Sequence, residues 1–402
     1  MFLESLRRRN PALIEQSIAL HQAGKIPANS YVIDLDAVEG NARTIAGVAG
    51  KFGFKTYAMT KQMGRNGSFC RAVAKGGIDR AVAVDMECAR AVCRAGLGLG
   101  HIGHLVQVPR HEADAAASMM PHHWTVFSLE KAAEAGAASS RLGRTQPILA
   151  RIVAPGDTFY RGHEGGFPAD EIVAVADAID RLPGARFAGV TSFPTQLFDH
   201  ASGKVKPTQN LATLGRAAET LAKAGHGKVE INAPGTTSTE ILPMLAAAGA
   251  TQIEPGHGLT GTTPLHAVAD LPEVPAVVYV SEVSHLVGSE AFCFGGGLYV
   301  DPVFPDYRIR AIVSREPTAS ATALAPVEIP APAAIDYYGM IDATGAVKPR
   351  IGDSVVFGFR PQAFVARAYV VGVSGLSGGA PHVETIYDAF GRPADWQSED
   401  AS

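Results

Sequence analysis

A lysine at the end of a buried strand is a chemical resource, because burial disfavours its charge and leaves a neutral amine able to form a Schiff base with a carbonyl. Lys61 stands in that position. It ends the run Lys55-Thr-Tyr-Ala-Met-Thr-Lys61 and is followed by the polar loop Gln62-Met-Gly-Arg-Asn-Gly67. Position alone equally allows a surface lysine that closes a strand. Two glycine loops offer a second kind of chemistry. Between Lys228 and Glu240 a strand turns at Pro234-Gly235 into a helix, so Gly235, Thr236 and Thr237 present backbone N–H groups and hydroxyls to an anion. Ser238 or Thr239 there also reads as an ordinary helix cap. The second loop, Ile253-Glu-Pro-Gly-His-Gly-Leu-Thr-Gly-Thr-Thr263, places Gly256, His257 and Gly258 after the next strand. Parallel α/β barrels frequently hold a phosphate between the loops after strands seven and eight, and these two loops occupy those places. Together with Lys61 they point to a phosphorylated cofactor.

The elements that must position these residues follow a regular rhythm. Short apolar runs recur near residues 55–60, 80–84, 104–108, 124–127, 147–153, 187–193, 228–232 and 251–254. Between them lie alanine-rich segments of helical period: Ser68 to Ala74, Met86 to Ala95, Leu129 to Ala138, Ala169 to Leu182, Thr208 to Ala224 and Thr239 to Ala248. Eight alternations in about 200 residues predict a closed TIM (β/α)8 barrel, with an open doubly wound sheet as the alternative. Ahead of them, Met1 to Gly24 reads as an amphipathic helix, and Ser30 to Asp36 contains a short strand. Past Pro264 the pattern becomes strand upon strand: Pro275 to Ser284, Tyr307 to Val313, Asp353 to Phe359 and Phe364 to Gly372, with Glu316 to Ala334 as an exposed loop. The expected division is a helical extension over 1–27, a barrel over 28–265 and a mostly β domain over 266–402.

Composition narrows the function classes. The 402 residues carry 35 Lys and Arg against 39 Asp and Glu, a net charge of −4, which gives no basic field for nucleic acid. No apolar run is long enough to span a membrane, and Glu15 and Gln16 interrupt the start where a signal peptide would be apolar. Cys70, Cys88, Cys93 and Cys293 are too few and too irregular for a disulfide framework, so a reducing cytoplasm is expected. His101 with His104, and His122 with His123, read as strand-flanking or solvated rather than as metal ligands, and no metal is expected.

Ser30-Tyr-Val-Ile-Asp-Leu-Asp36, then Tyr57-Ala-Met-Thr-Lys61, and later Glu254-Pro-Gly256 resemble the fold-type III pyridoxal-phosphate enzymes. These include alanine racemase, D-serine dehydratase, D-threonine aldolase and the ornithine and diaminopimelate decarboxylases. The resemblance covers nearly the whole chain and is strongest to the alanine-racemase-like YhfX group. Tyr338-Gly-Met-Ile-Asp342 and Gly352-Asp-Ser-Val-Val-Phe-Gly358 are similar to the C-terminal β domain of alanine racemases. The resemblance implies pyridoxal 5'-phosphate as cofactor, joined to Lys61, with Gly235, Thr236, Thr237, Gly256, His257 and Gly258 around its phosphate. It implies an amino-acid racemase or epimerase acting at Cα on a small-molecule amino acid, working as a homodimer in the cytoplasm. The alternatives within the same fold are an amino-acid lyase or decarboxylase, or a cofactor-binding protein of low turnover.

Several positions depart from a plain alanine racemase. Glu254 stands where those enzymes carry arginine and the related decarboxylases carry glutamate, facing the pyridine nitrogen; a carboxylate there favours the protonated ring, a stronger electron sink. Phe294 falls where the racemases have their catalytic tyrosine and cannot accept a proton; Tyr299 and Cys293 are the candidate substitutes, although each also reads as core packing, Cys293 above all. Ser192 replaces a ring-stacking histidine, and Glu164 replaces an arginine whose contacts its neighbours Arg161 and His163 would take over. Gln362 and Phe364 stand where the metal-dependent lyases carry histidine and cysteine, which argues against a metal on that domain.

Overall fold

A computed structural model describes residues 2–299, 303–304, 308–319, 323–331 and 334–396. They divide into two compact units. One draws on 43–60 and 73–258, the other on 1–42, 61–72 and 259–402.

The first unit is the barrel that the alternation predicts. Its staves are Lys55–Thr56 continued by Ala58–Met59, then Arg80–Ala83, Gly98–Ile102, His123–Val126, Gln146–Val153, Ala185–Thr191, Glu230–Asn232 and Gln252–Ile253. Each pairs in parallel with the next, and Gln252–Ile253 pairs back onto Lys55–Thr56, so the sheet closes. Tyr57 splits the first stave into two segments, giving nine pieces for eight staves. Ile148, Ala150 and Ile152 on the fifth stave pack with Ala132, Ala135, Val175 and Ile179 from the helices outside. By the two-residue period of a strand, Leu149 and Arg151 face the barrel interior.

The third stave lies at Gly98–Ile102, not at 104–108. Its sequence, Gly-Leu-Gly-His-Ile, lacks the β-branched signature of a strand. Its period is also broken. Leu99 and Ile102 both join the outer core although they stand three apart, because the register with the second stave jumps from Ala81↔Leu99 to Val82↔His101 and leaves Gly100 as a bulge. The bulge turns the buried His101 inward. Only glycine fits at residue 100, since a Cβ there would sit 2.2 Å from the Tyr57 ring. A second register shift, between Ile148 and Leu149 on the fifth stave, does the same for the sixth. There Phe187 and Val190 face outward, while a Cβ on Gly189 would sit 2.0 Å from the Glu230 carbonyl.

The second unit is built on antiparallel pairing. Val277–Val287, Glu290–Phe294, Tyr338–Asp342, Ala325–Glu328, Arg310–Ser314 and Ser354–Phe357 pair in that order and close back on Val277–Val287, a six-stranded ring. Ser30–Asp34 pairs antiparallel with Val277–Val287 and parallel with Tyr369–Ser374, which extends the sheet to His382–Tyr387. Three expectations are corrected here. Part of the supposed loop over Glu316 to Ala334 is the strand Ala325–Glu328, where Ala325 and Val327 are buried and Pro326 and Glu328 exposed. The single leading helix is two, Phe2–Arg9 and Pro11–Gln22. The break comes at Asn10, whose Oδ1 accepts from the Leu13 N–H, and at Pro11, which has no N–H to continue the first helix. Nor are residues 1–27 a separate extension, because Leu3, Leu6, Leu13, Ile14 and Ile18 share a core with Val32, Val278, Val280 and Val356. Residue 307, at the start of one expected strand, lies outside the described residues.

Adding one methyl group at each of two glycines tests this packing. Gly100→Ala is expected to destabilise the chain by about 1–3 kcal/mol through overpacking against Tyr57. Gly47→Ala, inside the helix Leu35–Lys51 with nothing within 4 Å of its Cβ, is expected to stabilise by about 0.5–1 kcal/mol. Urea unfolding of both variants against the parent reads the two signs.

Candidate active site

Inside the barrel the staves place a polar layer around one carboxylate. Glu254 follows the eighth stave and is 4% exposed. Its Oε1 accepts from His101 Nδ1 at 2.5 Å and from Asn232 Nδ2 at 2.9 Å. His101 is itself held by the Thr125 hydroxyl at its other ring nitrogen, 2.5 Å away, and Asn232 Oδ1 accepts from the Thr191 hydroxyl at 2.7 Å. The orienting groups therefore come from staves three, four, six and seven. Glu254 Oε2 has no hydrogen bond among the described residues, and His104 Nε2 lies 3.4 Å from it. Burial alone would raise the Glu254 pKa. The imidazoles of His104 and His101 and the donated hydrogen bonds outweigh it and hold the group at about 2. It is an ionised carboxylate with one oxygen still able to accept a hydrogen bond.

Two histidines expected to flank strands or face solvent stand here instead. His101 and His104 are buried, at 0% and 2% exposure, and both face Glu254. Ligand atoms of the three residues lie within 4.8 Å of one another, close enough to hold a cation. The bulge at Gly100 conceals this in the sequence, because it takes His101 out of simple alternation. Lower in the barrel His123 lies 3.2 Å from the Tyr57 hydroxyl, and burial pushes its pKa down to about 3, so it stays neutral.

Around this layer the two glycine loops meet. A Cβ on Gly258 would lie 2.5 Å from the Thr237 carbonyl, and one on Gly235 would lie 2.6 Å from the Gln196 carbonyl. Thr236 N–H donates to the Gln196 carbonyl at 3.2 Å, while the Thr237 hydroxyl donates to the Gly235 carbonyl at 3.1 Å. Gly235, Thr236 and Gly256 are half-buried; Thr237 and His257 are buried. Glycine at 235 and 258 thus lets the two loops pack backbone against backbone beside Glu254.

An aromatic wall stands beside it. Phe193 lies edge-on to His104, ring centroids 5.7 Å apart, and tilts against Tyr160 and His163 at 5.8 and 6.0 Å. Two expected contact residues are not gathered into this set. Ser192 is buried, but its hydroxyl accepts from Asn210 Nδ2 at 2.9 Å. The Arg161 side chain is 98% exposed and faces Glu164. The buried guanidinium is instead Arg151, on the fifth stave.

Lys61 and Tyr299 belong to the other unit. Lys61 comes two residues after Met59, whose N–H donates to the Pro255 carbonyl next to Glu254, and it opens the turn Lys61–Met63. Its Nζ lies 5.1 Å from the centre of the Phe364 ring. Tyr299 is half-buried and close enough to Tyr31 to help raise that phenol's pKa, behind the larger effect of burial. Phe294 packs on Tyr338, ring centroids 6.0 Å apart, and the buried Cys293 thiol is pushed up to about 11 by burial, which fits packing rather than acid/base work. No helix among the described residues is long and apolar enough to cross a membrane.

Residues 33–264 match the family model of the alanine racemase N-terminal domain, and residues 278–383 that of the YhfX-like C-terminal domain. The chain is 40% identical over 393 residues to the uncharacterized protein YhfX of Escherichia coli strain K12, covering 97% of this chain and 99% of that one. Among solved structures it is similar in fold to D-threonine aldolase from Filomicrobium marinum, with a TM-score of 0.68 at 17% identity over 92% of this chain and 96% of that one. Alanine racemase from Clostridium difficile 630 follows at 0.63 and 14%, over 90% and 99%. D-threo-3-hydroxyaspartate dehydratase from Delftia sp. HT23 gives 0.63 and 16%, over 89% and 97%.

The depressed acidity of Glu254 has a stability signature. A group whose pKa falls on folding contributes stability above its unfolded value, here 4.5, and loses it as pH drops toward the folded value, about 2. The stability of the parent relative to Glu254→Gln is therefore expected to shrink as pH is lowered from 6 through 4.5 toward 3, by about 1–3 kcal/mol in all. Urea unfolding of both proteins across that window measures it, and a constant difference would contradict the ionised state.

Proposed function

The chain belongs to the alanine racemase family through its N-terminal domain and carries a YhfX-like C-terminal domain, and on that premise we propose that it is a pyridoxal-phosphate-dependent racemase or epimerase acting at the Cα of an amino acid. Racemisation is taken from the family match, and the observation that carries the cofactor is the Glu254 carboxylate, buried and ionised, with one oxygen not hydrogen-bonded among the described residues. That oxygen suits a protonated pyridine nitrogen, and the glycine loops at Gly235 and Gly258, which pack on each other beside Glu254, are where the family resemblance places the phosphate. Pyridoxal phosphate, when bound, supplies an electron sink for the pair left at Cα when its proton is removed.

The chain's own residues supply the rest. Lys61 holds the cofactor covalently and, as a free amine, moves a proton at Cα. Gly235, Thr236 and Thr237, with Gly256, His257 and Gly258, are the residues that the family resemblance places around the phosphate. Glu254 keeps the ring nitrogen protonated, and His101, Asn232 and Thr125 keep Glu254 oriented. Tyr299 is the candidate second acid/base. The substrate is an amino acid as a free small molecule, the working form a homodimer, and the compartment a reducing cytoplasm, which suits four free cysteines.

The same Glu254 favours a second reading, an amino-acid lyase or decarboxylase, because a stronger electron sink also serves bond cleavage at Cα or Cβ. Gln362 and Phe364 weigh against its metal-dependent form. Phe364 offers no ligand atom, and its ring lies against Lys61.

Purified protein is expected to take up pyridoxal phosphate and show the visible band of lysine-bound cofactor, which Lys61→Ala abolishes. With a panel of D- and L-amino acids in deuterated water, deuterium is expected at Cα with amine and carboxylate retained, and Lys61→Ala should slow that exchange by about 10²–10⁴-fold. Release of keto acid, amine or carbon dioxide would replace racemisation by the lyase reading. A protein that binds no cofactor would overturn both.

A further inference from the structure

Arg151 is the largest fully buried side chain among the described residues, at 1% exposure. It lies on the inward face of the fifth stave, and among the described residues no carboxylate is within ion-pair distance of it. Burial lowers its pKa to about 10, and Glu164 offsets this only at a distance. What surrounds the guanidinium is instead aromatic and backbone. The Phe127 and Phe159 rings lie 4.8 and 5.5 Å from its central carbon, and one Nη donates to the His163 carbonyl. Nε is buried and has no hydrogen-bond partner among the described residues. A guanidinium is never neutral at physiological pH, and a buried charge with an idle donor is costly unless something pairs with it. Stacked aromatics are a familiar way to hold such a group flat while it waits for an anion.

The surroundings tie Arg151 to the catalytic mouth. His163, whose carbonyl it holds, tilts on Phe193, Phe193 lies edge-on to His104, and His104 reaches Glu254. The loop carrying His163 is pinned. Thr158 N–H donates to Asn210 Oδ1, Asp157 Oδ1 accepts from the Thr213 hydroxyl, and a Cβ on Gly166 would lie 2.6 Å from the Arg151 carbonyl. The idle donor is thus part of a built wall rather than of a loose surface.

We propose that Arg151 is an oxyanion receptor of the active site and binds the carboxylate of the amino-acid substrate. This rests on the reading of the protein as a pyridoxal-phosphate enzyme for the identity of the ligand, but not for the presence of the receptor. The same chemistry would also suit an oxyanion of the cofactor, so the test separates the two. It changes one side chain, Arg151→Gln, in the full chain.

In protein freed of cofactor, acetate is expected to raise the thermal midpoint relative to chloride at equal ionic strength, and Arg151→Gln should weaken acetate binding roughly 10- to 100-fold, as for loss of a charge-assisted hydrogen bond. In a separate titration pyridoxal phosphate should bind the variant within about threefold of the parent, less than half a tenfold step in affinity. Acetate binding kept while cofactor affinity falls would assign the receptor to the cofactor and overturn the substrate assignment. Neither changing, in a variant that folds, would overturn the receptor itself. If the parent binds acetate through Arg151 but takes up no pyridoxal phosphate, the proposed function fails and the receptor stands. Should Arg151→Gln not fold, Arg151→Lys keeps the charge without the planar fork and carries the same comparison.

Discussion

The hydrogen bond from His101 to the Glu254 carboxylate is the constraint on which the barrel's interior depends. A carboxylate at 4% exposure would ordinarily be protonated or excluded. Here His101, His104 and Asn232 keep it charged, and they can do so because staves three, seven and eight bring their residues to one level. Thr125 and Thr191 then fix the donors themselves. Remove the imidazole and the carboxylate loses both its shortest hydrogen bond and its orientation, so the layer stands or falls as a network.

That network has a backbone origin. His101 faces inward only because Gly100 is bulged, and Gly100 can bulge only because it has no Cβ to meet Tyr57. A residue without a side chain thereby sets the direction of the residue that ionises the site. On the opposite wall the register skips Ala188, and its neighbour Gly189 has no Cβ to meet the Glu230 carbonyl. The setting of Glu254 is in this sense a consequence of where two staves break their period.

The sequence conveys the architecture well where periodicity is clean. All the expected staves but the third fall on or beside the observed ones, and the alanine-rich helices between them coincide with helices such as Met86–Arg94, Leu129–Arg141 and Gln209–Lys223. The third stave departs from its expected place because Gly98-Leu-Gly-His-Ile carries neither apolar continuity nor strict alternation. For the same reason His101 reads in sequence as a flanking residue. Arg161 stands out over Arg151 because proximity to a glycine-rich loop is visible in sequence, whereas burial of an arginine within an apolar strand reads only as an interruption. The strand Ala325–Glu328 is hidden by its proline. Lys61, Glu254 and the two glycine loops stand out in the sequence because each sits at a strand end, where function accumulates in barrels.

Few charges matter in this chain, and they are local. Net charge is only −4, yet one carboxylate and one guanidinium are buried within the barrel unit, each with an unused hydrogen-bonding atom among the described residues. The central claim is that Glu254 presents an ionised oxygen to a pyridine nitrogen. The most direct measurement is the ¹⁵N resonance of pyridoxal phosphate labelled at the ring nitrogen and bound to the full-length protein. The account predicts a protonated pyridinium in the parent that reverts toward the neutral ring in Glu254→Gln. A neutral ring nitrogen in the parent would contradict it.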